Sequence, residues 1–176
     1  MIILGIDPGI ATTGYGVCEY DNVRFTYRDC GVIETAKGQR VEVRLQHVFH
    51  SVQSLIRRYE PDALAIEELF YYNNQKTVIN VAQARGVVLL AAEEAGVPIS
   101  EYTPLQVKQA VVGYGRAEKR QVQEMVRILF RLPGIPRPDD AADALAIAAC
   151  HGYRSASRIA VAQMQNLSDA KKTGGK

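Results

Sequence analysis

Met1-Ile2-Ile3-Leu4-Gly5-Ile6-Asp7-Pro8-Gly9 opens the chain, and its reading decides the fold. An uncharged, apolar run that stops at an acid and a Pro-Gly turn signal predicts a strand buried on both faces, the middle of a sheet covered by helices. Asp is seldom buried unless it is paired or holds a metal. Here one is delivered by the central strand at its carboxyl end, where open α/β sheets place their sites.

Working outward, Ile10 to Gly14 reads as a turn rich in Thr and Gly. Tyr15–Tyr20 and Val23–Glu34 are the next strands, paired around Asp21-Asn22. Arg40–Tyr59 is an amphipathic helix, with Val41, Leu45, Val48, Val52, Leu55 and Ile56 at spacings of three and four. Glu60-Pro61-Asp62 ends it and opens a fourth strand, Ala63–Ile66, which stops at Glu67-Glu68. A polar, aromatic loop over 70–75 leads into a helix from Thr77 to Ala95. That helix is apolar around so much of its circumference that it should be covered on two sides, by the core and by a second subunit.

Val97–Tyr102 is a fifth strand, followed by helices over Thr103–Val112 and Ala117–Phe130. A proline-rich loop over Leu132–Pro138 precedes an alanine-rich helix over Asp139–Tyr153. The order β-β-β-α-β-α-β-α-α-α predicts an α/β fold: a five-stranded mixed sheet flanked by helices, an antiparallel meander first and parallel crossovers after. A dinucleotide fold would alternate from the start and carry a glycine fingerprint after its first strand, which Gly9-x-x-x-x-Gly14-x-Gly16 does not match. Residues 1–153 form one domain, and 154–176 is expected to be a basic, disordered tail.

Nothing in the sequence reaches the ~20 apolar residues of a membrane span, and no export signal is evident. Cys18, Cys30 and Cys150 have no ligand-like spacing and read as buried thiols in a reducing cytoplasm. The formal net charge is only +2, but it is unevenly spread. Lys108, Arg116, Lys119, Arg120, Arg127 and Arg131 face only Glu118 and Glu124 across that stretch, a pattern that fits a polyanion binder.

Glu67 ends a buried strand as Asp7 does. If those strands are neighbours, both carboxylates leave the same sheet edge, while Glu68 points to the opposite face. Asp139-Asp140-Ala141-Ala142-Asp143 then opens the last helix. Asp140 and Asp143 share a helix face at three apart, and so do Asp139 and Asp143 at four, so spacing does not choose between them. Alanines beside the acids let that helix lie close to the sheet. Two unit charges 4 Å apart repel by roughly 4 kcal/mol at an effective dielectric of 20. Such a cluster therefore holds protons at raised pKa or a cation among its members. All-oxygen donors suit Mg²⁺ or Mn²⁺, and two such ions can bridge a phosphodiester. Asp139 fits the N-cap role.

Gly5-Ile6-Asp7-Pro8-Gly9, Ala65-Ile66-Glu67-Glu68, Gln83-Ala84-Arg85-Gly86, Gln106-Val107-Lys108-Gln109 and Asp140-Ala141-Ala142-Asp143-Ala144-Leu145-Ala146 stand in that order. Over residues 1–153 the chain resembles the RuvC Holliday-junction resolvases. The resemblance implies a ribonuclease-H-like fold and a homodimer. It implies Mg²⁺-dependent cutting of two opposed strands of a four-way DNA junction, leaving 5′-phosphate and 3′-hydroxyl ends. It assigns Asp7, Glu67, Asp140 and Asp143 as catalytic, metal-binding acids around two ions, and so selects Asp140 over Asp139. Some members carry His at the first position of that last acid pair, whereas this chain has Asp. Lys108 and Lys119 match DNA-contacting lysines. Phe70 matches an aromatic at the junction crossover, and Tyr71 and Tyr72 either share that role or pack. The branch-migration proteins RuvA and RuvB are the implied partners, with no membrane involved.

Two other classes compete. An actin-like or sugar-kinase-type ATPase shares the Asp-x-Gly turn but would need a second such domain, and no internal repeat exists. A non-catalytic junction-binding module would be expected to lack at least one of the acids, and all are present. His47 and His50 read as surface or core, and His151 lies a helix end away from the acids.

Overall fold

The structure, a computed structural model, describes residues 1–69 and 75–173, with only the helical backbone described for 75–77 and 158–173. Strands β1 (Ile2–Asp7), β2 (Thr12–Tyr20), β3 (Phe25–Glu34), β4 (Ala63–Glu67) and β5 (Ile99–Tyr102) form one sheet in the order β3-β2-β1-β4-β5. The first strand is central. It runs antiparallel to β2 and parallel to β4, with Ile6 opposite Ile66, and β5 extends the sheet in parallel beyond β4. The mixed five-stranded sheet read from the sequence is thus the one observed.

Alternation along the strands separates two cores. Leu4, Ile6, Leu64 and Ile66 pack with helices α1 (Val41–Tyr59) and α2 (Gln75–Glu94). Ile3, Ala65 and Tyr102 face the other way, against α3 (Pro104–Val112), α4 (Lys119–Leu129) and α5 (Asp139–Thr173). Alternation puts Asp7 and Glu67 on the α3–α5 side.

Helix α5 reaches the sheet at backbone distance. A Cβ on Gly5 would stand 2.1 Å from the Ala144 carbonyl oxygen, one on Gly14 would stand 2.1 Å from that of Asp140, and one on Gly16 would meet the Leu145 backbone nitrogen at 2.7 Å. Glycines on β1 and β2 therefore form the seat for the alanine face of the helix. The alanines beside the acids are half of that fit, and the strand glycines are the other half.

Several boundaries differ from the sequence reading, β5 among them in starting at Ile99 rather than Val97, and three of the differences have a visible cause. Strand β2 starts at Thr12 rather than Tyr15, because Asp7 pairs with Gly14 and Gly14 with Val32, so two flanking ladders outweigh the poor strand propensity of glycine. Strand β3 starts at Phe25 rather than Val23, because the Asp21 carboxylate accepts hydrogen bonds from the Val23 and Arg24 amides at 2.9 and 2.8 Å, with Asn22 left-handed at φ 73°. Helix α5 does not end at Tyr153 but runs to Thr173. Amphipathic patterning fades after Arg154, yet no proline or glycine interrupts the chain before Gly174, and local propensity is enough to continue the turns.

The glycine seat predicts a graded response. Gly5→Ala and Gly14→Ala should each destabilise the fold by about 1–3 kcal/mol or more through overpacking against backbone that cannot rotate away. Gly38→Ala, with nothing within 4 Å of its added carbon, should be near neutral. Urea denaturation of the three variants checks the order.

Candidate active site

Strands β1 and β4 lie side by side, so Asp7 and Glu67 leave the sheet at one level, separated by the ~4.8 Å between neighbouring strands. The first turns of α5 pass over that edge because Ala144 is seated on Gly5. Asp143, the residue before Ala144, is thereby brought to the same place. A cavity of about 220 Å³ results, lined by Asp7, Glu67 and Asp143, with Lys108 of α3 and Lys119 of α4 on its rim and Val107, Val122 and Ile147 among its apolar walls.

Asp140 is not in that cavity. Its carbonyl rests over Gly14, and the residue borders a neighbouring hollow with Gly9, Ile10, Ala11 and Thr12 of the β1–β2 turn. It remains within electrostatic reach of Asp7 and Asp143. Spacing by three on a helix thus sets Asp140 and Asp143 on either side of the strand end, with Asp7 between their fields.

Burial, and then the charges of Glu67, Asp143 and Asp140, push the Asp7 carboxyl up from its ordinary 3.8 to about 7, with Lys119 opposing the shift. Glu67 is raised by burial and then by Asp143. Asp143 is also raised, chiefly by burial, although the Lys119 ammonium hydrogen-bonded to it works the other way. That ammonium lies 2.9 Å from Asp143 and 3.6 Å from Asp139. Burial would lower the pKa of Lys119, but the two aspartates together raise it.

Oxygen-only donors with too little positive charge among them fit a hard divalent cation. Among the described residues no three acidic side chains stand close enough to cage an ion as they are oriented. The Lys119 ammonium is the cation that lies among them. Asp7, Glu67, Asp140 and Asp143 are the acids here that could hold such an ion.

The profile of the family described as crossover junction endodeoxyribonuclease RuvC matches residues 3–151. The chain belongs to that family. A relative of the same name from Rubrobacter xylanophilus is 59% identical over 152 residues, which is 86% of this chain and 85% of its own. Another from Ruminiclostridium cellulolyticum is 54% identical over 152 residues, covering 86% of this chain and 92% of its own. The structure of Thermus thermophilus RuvC in complex with a Holliday junction substrate superposes with a TM-score of 0.85 at 39% identity, covering 89% of this chain and 96% of that one. The RuvC fold expected from the sequence is the fold found.

The remaining candidates divide as follows. Lys108 and Lys119 are on the cavity rim. Phe70, Tyr71 and Tyr72 fall outside the described residues. His47 and His50 are exposed on α1. His151 is buried with its Nδ1 2.8 Å from the Tyr102 hydroxyl, and it lies about 12 Å along the helix from Asp143 at 1.5 Å per residue. Cys18 and Cys150 are buried, their thiols pushed up to about 12 by burial, and Cys30 is half-buried. No helix among the described residues is long and apolar enough to cross a membrane. Sequence reasoning missed the glycine seat, although Gly5, Gly14 and Gly16 stand at alternate strand positions. It also missed the ion pair from Lys119 to Asp139, for which long-range proximity offers no local signal.

The raised Asp7 carboxyl makes metal-free stability depend on pH. A group whose folded value exceeds its unfolded one binds its proton more tightly in the native state. It contributes its full stability below the unfolded value of 3.8 and loses that contribution as the pH passes about 7. In chelator, the melting temperature should therefore fall between about pH 4 and pH 7. Asp7→Asn should flatten the slope and be the more stable protein at the higher pH, by a few kcal/mol at most, since each pH unit between the two values corresponds to ~1.4 kcal/mol.

Proposed function

We propose that the protein is a structure-selective endonuclease that resolves four-way (Holliday) DNA junctions by hydrolysing phosphodiester bonds in two opposed strands. One observation carries the reading: two strand-end carboxylates and a helix aspartate surround one cavity whose rim bears two lysines. The T. thermophilus relative solved with a junction supports the choice of substrate. Asp7, Glu67, Asp140 and Asp143 would hold Mg²⁺ or Mn²⁺, two ions per site. When bound there, such ions would supply Lewis-acid polarisation of the phosphate, a lowered water pKa and charge stabilisation of the leaving oxygen.

The chain's own part is positional. Strands β1 and β4 hold Asp7 and Glu67 on a rigid edge, and the seated helix holds the other two acids. Apolar walls at Val107, Val122 and Ile147 limit water around the reacting phosphate. Lys108 and Lys119 would fix the scissile strand through its phosphates, leaving 5′-phosphate and 3′-hydroxyl ends. Phe70 and Tyr71 would stack on unpaired bases at the crossover, a contact worth ~1–3 kcal/mol per base.

Paired cuts need paired sites. Helix α2 buries Ala84, Val88, Ala91 and Ala92 on the sheet side, yet exposes Ile79 and Leu90, with Gly86 open between them. That apolar face suits the homodimer contact, and a twofold axis suits a symmetric junction. The reading places the protein in the cytoplasm, in homologous recombination and DNA repair, alongside the branch-migration proteins RuvA and RuvB.

Incubation of a synthetic mobile junction with Mg²⁺ tests it. The parent should yield symmetric, religatable nicks. Asp7→Asn, Glu67→Gln, Asp140→Asn and Asp143→Asn should each lose ~100-fold or more of the cleavage rate while retaining junction binding. Cleavage by Asp7→Asn at the parental rate would overturn the assignment.

Lys108 makes a separate prediction. Lys108→Gln should weaken junction binding on every sequence alike and flatten the dependence of log affinity on log salt by ~0.9, one phosphate contact's worth. Fluorescence anisotropy across a salt series measures the slope.

A further inference from the structure

Lys119 is the first residue of α4, where Glu118 caps the helix through a reciprocal box with Gln121. From that fixed start its ammonium crosses to the first turn of α5 and contacts two acids, Asp143 at 2.9 Å and Asp139 at 3.6 Å. Asp139 does not line the cavity that holds Asp7, Glu67 and Asp143. It is instead anchored from outside, where Arg137 Nη1 donates to its Oδ1 at 2.6 Å. Asp139 and Asp143 are about one helical turn apart, ~6 Å along the axis, so a rotamer change of Lys119 moves the ammonium from one to the other with no backbone motion.

A divalent ion and an ammonium held on the same carboxylate repel each other. An ion entering on Asp143 meets an ammonium already hydrogen-bonded there, and like charges at such a distance repel strongly in a half-buried site. The ammonium must move, and Asp139 is the acceptor standing beside it. Resting on the reading of Asp143 as a metal ligand, we propose that Lys119 is the resident counter-cation of the metal-free site. Asp139 is the positioning residue that receives its ammonium when a divalent ion takes Asp143. The exchange leaves Lys119 on the rim, where a phosphate arrives, and gives the acid beside Asp140 a task of its own.

The test is Mn²⁺ binding by the full chain without DNA, read as free Mn²⁺ by electron paramagnetic resonance. Asp143→Asn should weaken binding by ~10-fold or more; unchanged affinity there overturns the metal reading itself. With that control in place, Lys119→Met should tighten Mn²⁺ binding by about five-fold, and Lys119→Arg should restore the parental value. Asp139→Asn should weaken binding in the parent and do so much less in the Lys119→Met background. Affinity unchanged or weakened in Lys119→Met, or an equal effect of Asp139→Asn in both backgrounds, overturns the exchange and leaves the metal reading intact. Lys119 and Asp139 are both partly exposed, and thermal melts of the variants in chelator confirm that each remains folded.

Discussion

Helix α5 lies on the sheet with backbone against backbone, and the placement of Asp140 and Asp143 near Asp7 follows from that contact. At Gly5 the Ala144 carbonyl occupies the space any Cβ would need, and at Gly14 the Asp140 carbonyl does the same. A helix normally keeps its distance from a sheet through a layer of interleaved side chains. Removing that layer sacrifices apolar contact under the helix axis, and the surrounding core compensates. Leu145, whose side chain lies against Gly16, and Ile147 belong to one buried cluster with Val122, Val126 and Phe130 of the α4 region. What the close approach achieves is reach: aspartates have short side chains, and only a helix this near the strand ends can bring them to Asp7.

Electrostatics then sets the character of the site. Strand alternation gives Asp7 and Glu67 one face, and parallel register gives them one level. Among the described residues neither is paired with an arginine. Burial and mutual repulsion raise Asp7, Glu67 and Asp143 together, so their strain is relieved either by protons or by cations. A lysine side chain already supplies one positive charge from across the cavity.

How much of this was legible in the sequence depends on the range of the signal. Asp7 and Glu67 could be placed because buried strands announce themselves as apolar runs and the acids end them. The mixed sheet followed from the order of elements. The choice between Asp139 and Asp140 could not be made from spacing, since helix neighbours at three and four are equivalent until the partner surface is known. Family resemblance chose Asp140, and the structure supplies a physical distinction: Asp140 sits over Gly14, whereas Asp139 turns to Arg137 and Lys119. The end of α5 was misread because fading amphipathicity marks loss of packing partners, not loss of helix. The Lys119 contact was illegible because it joins elements separated in sequence by a proline-rich loop.

Helix α5 also ties the acidic and basic halves of the cavity together. The acids belong to the sheet and to α5, while Lys108 and Lys119 belong to α3 and α4. The distance from the lysines to the acids stays fixed only if those two layers keep a constant spacing. Ala144 on Gly5 sets the lower contact, and the Cys150 thiol donating to the Gln106 carbonyl at 3.6 Å, within a shared apolar core, sets the upper one. The helix is therefore a spacer between the lysines and the carboxylates of the cavity. A substitution in its alanine face should then disturb the alignment of phosphate and carboxylates before it disturbs binding of either, because each layer keeps its own contacts when the gap between them changes.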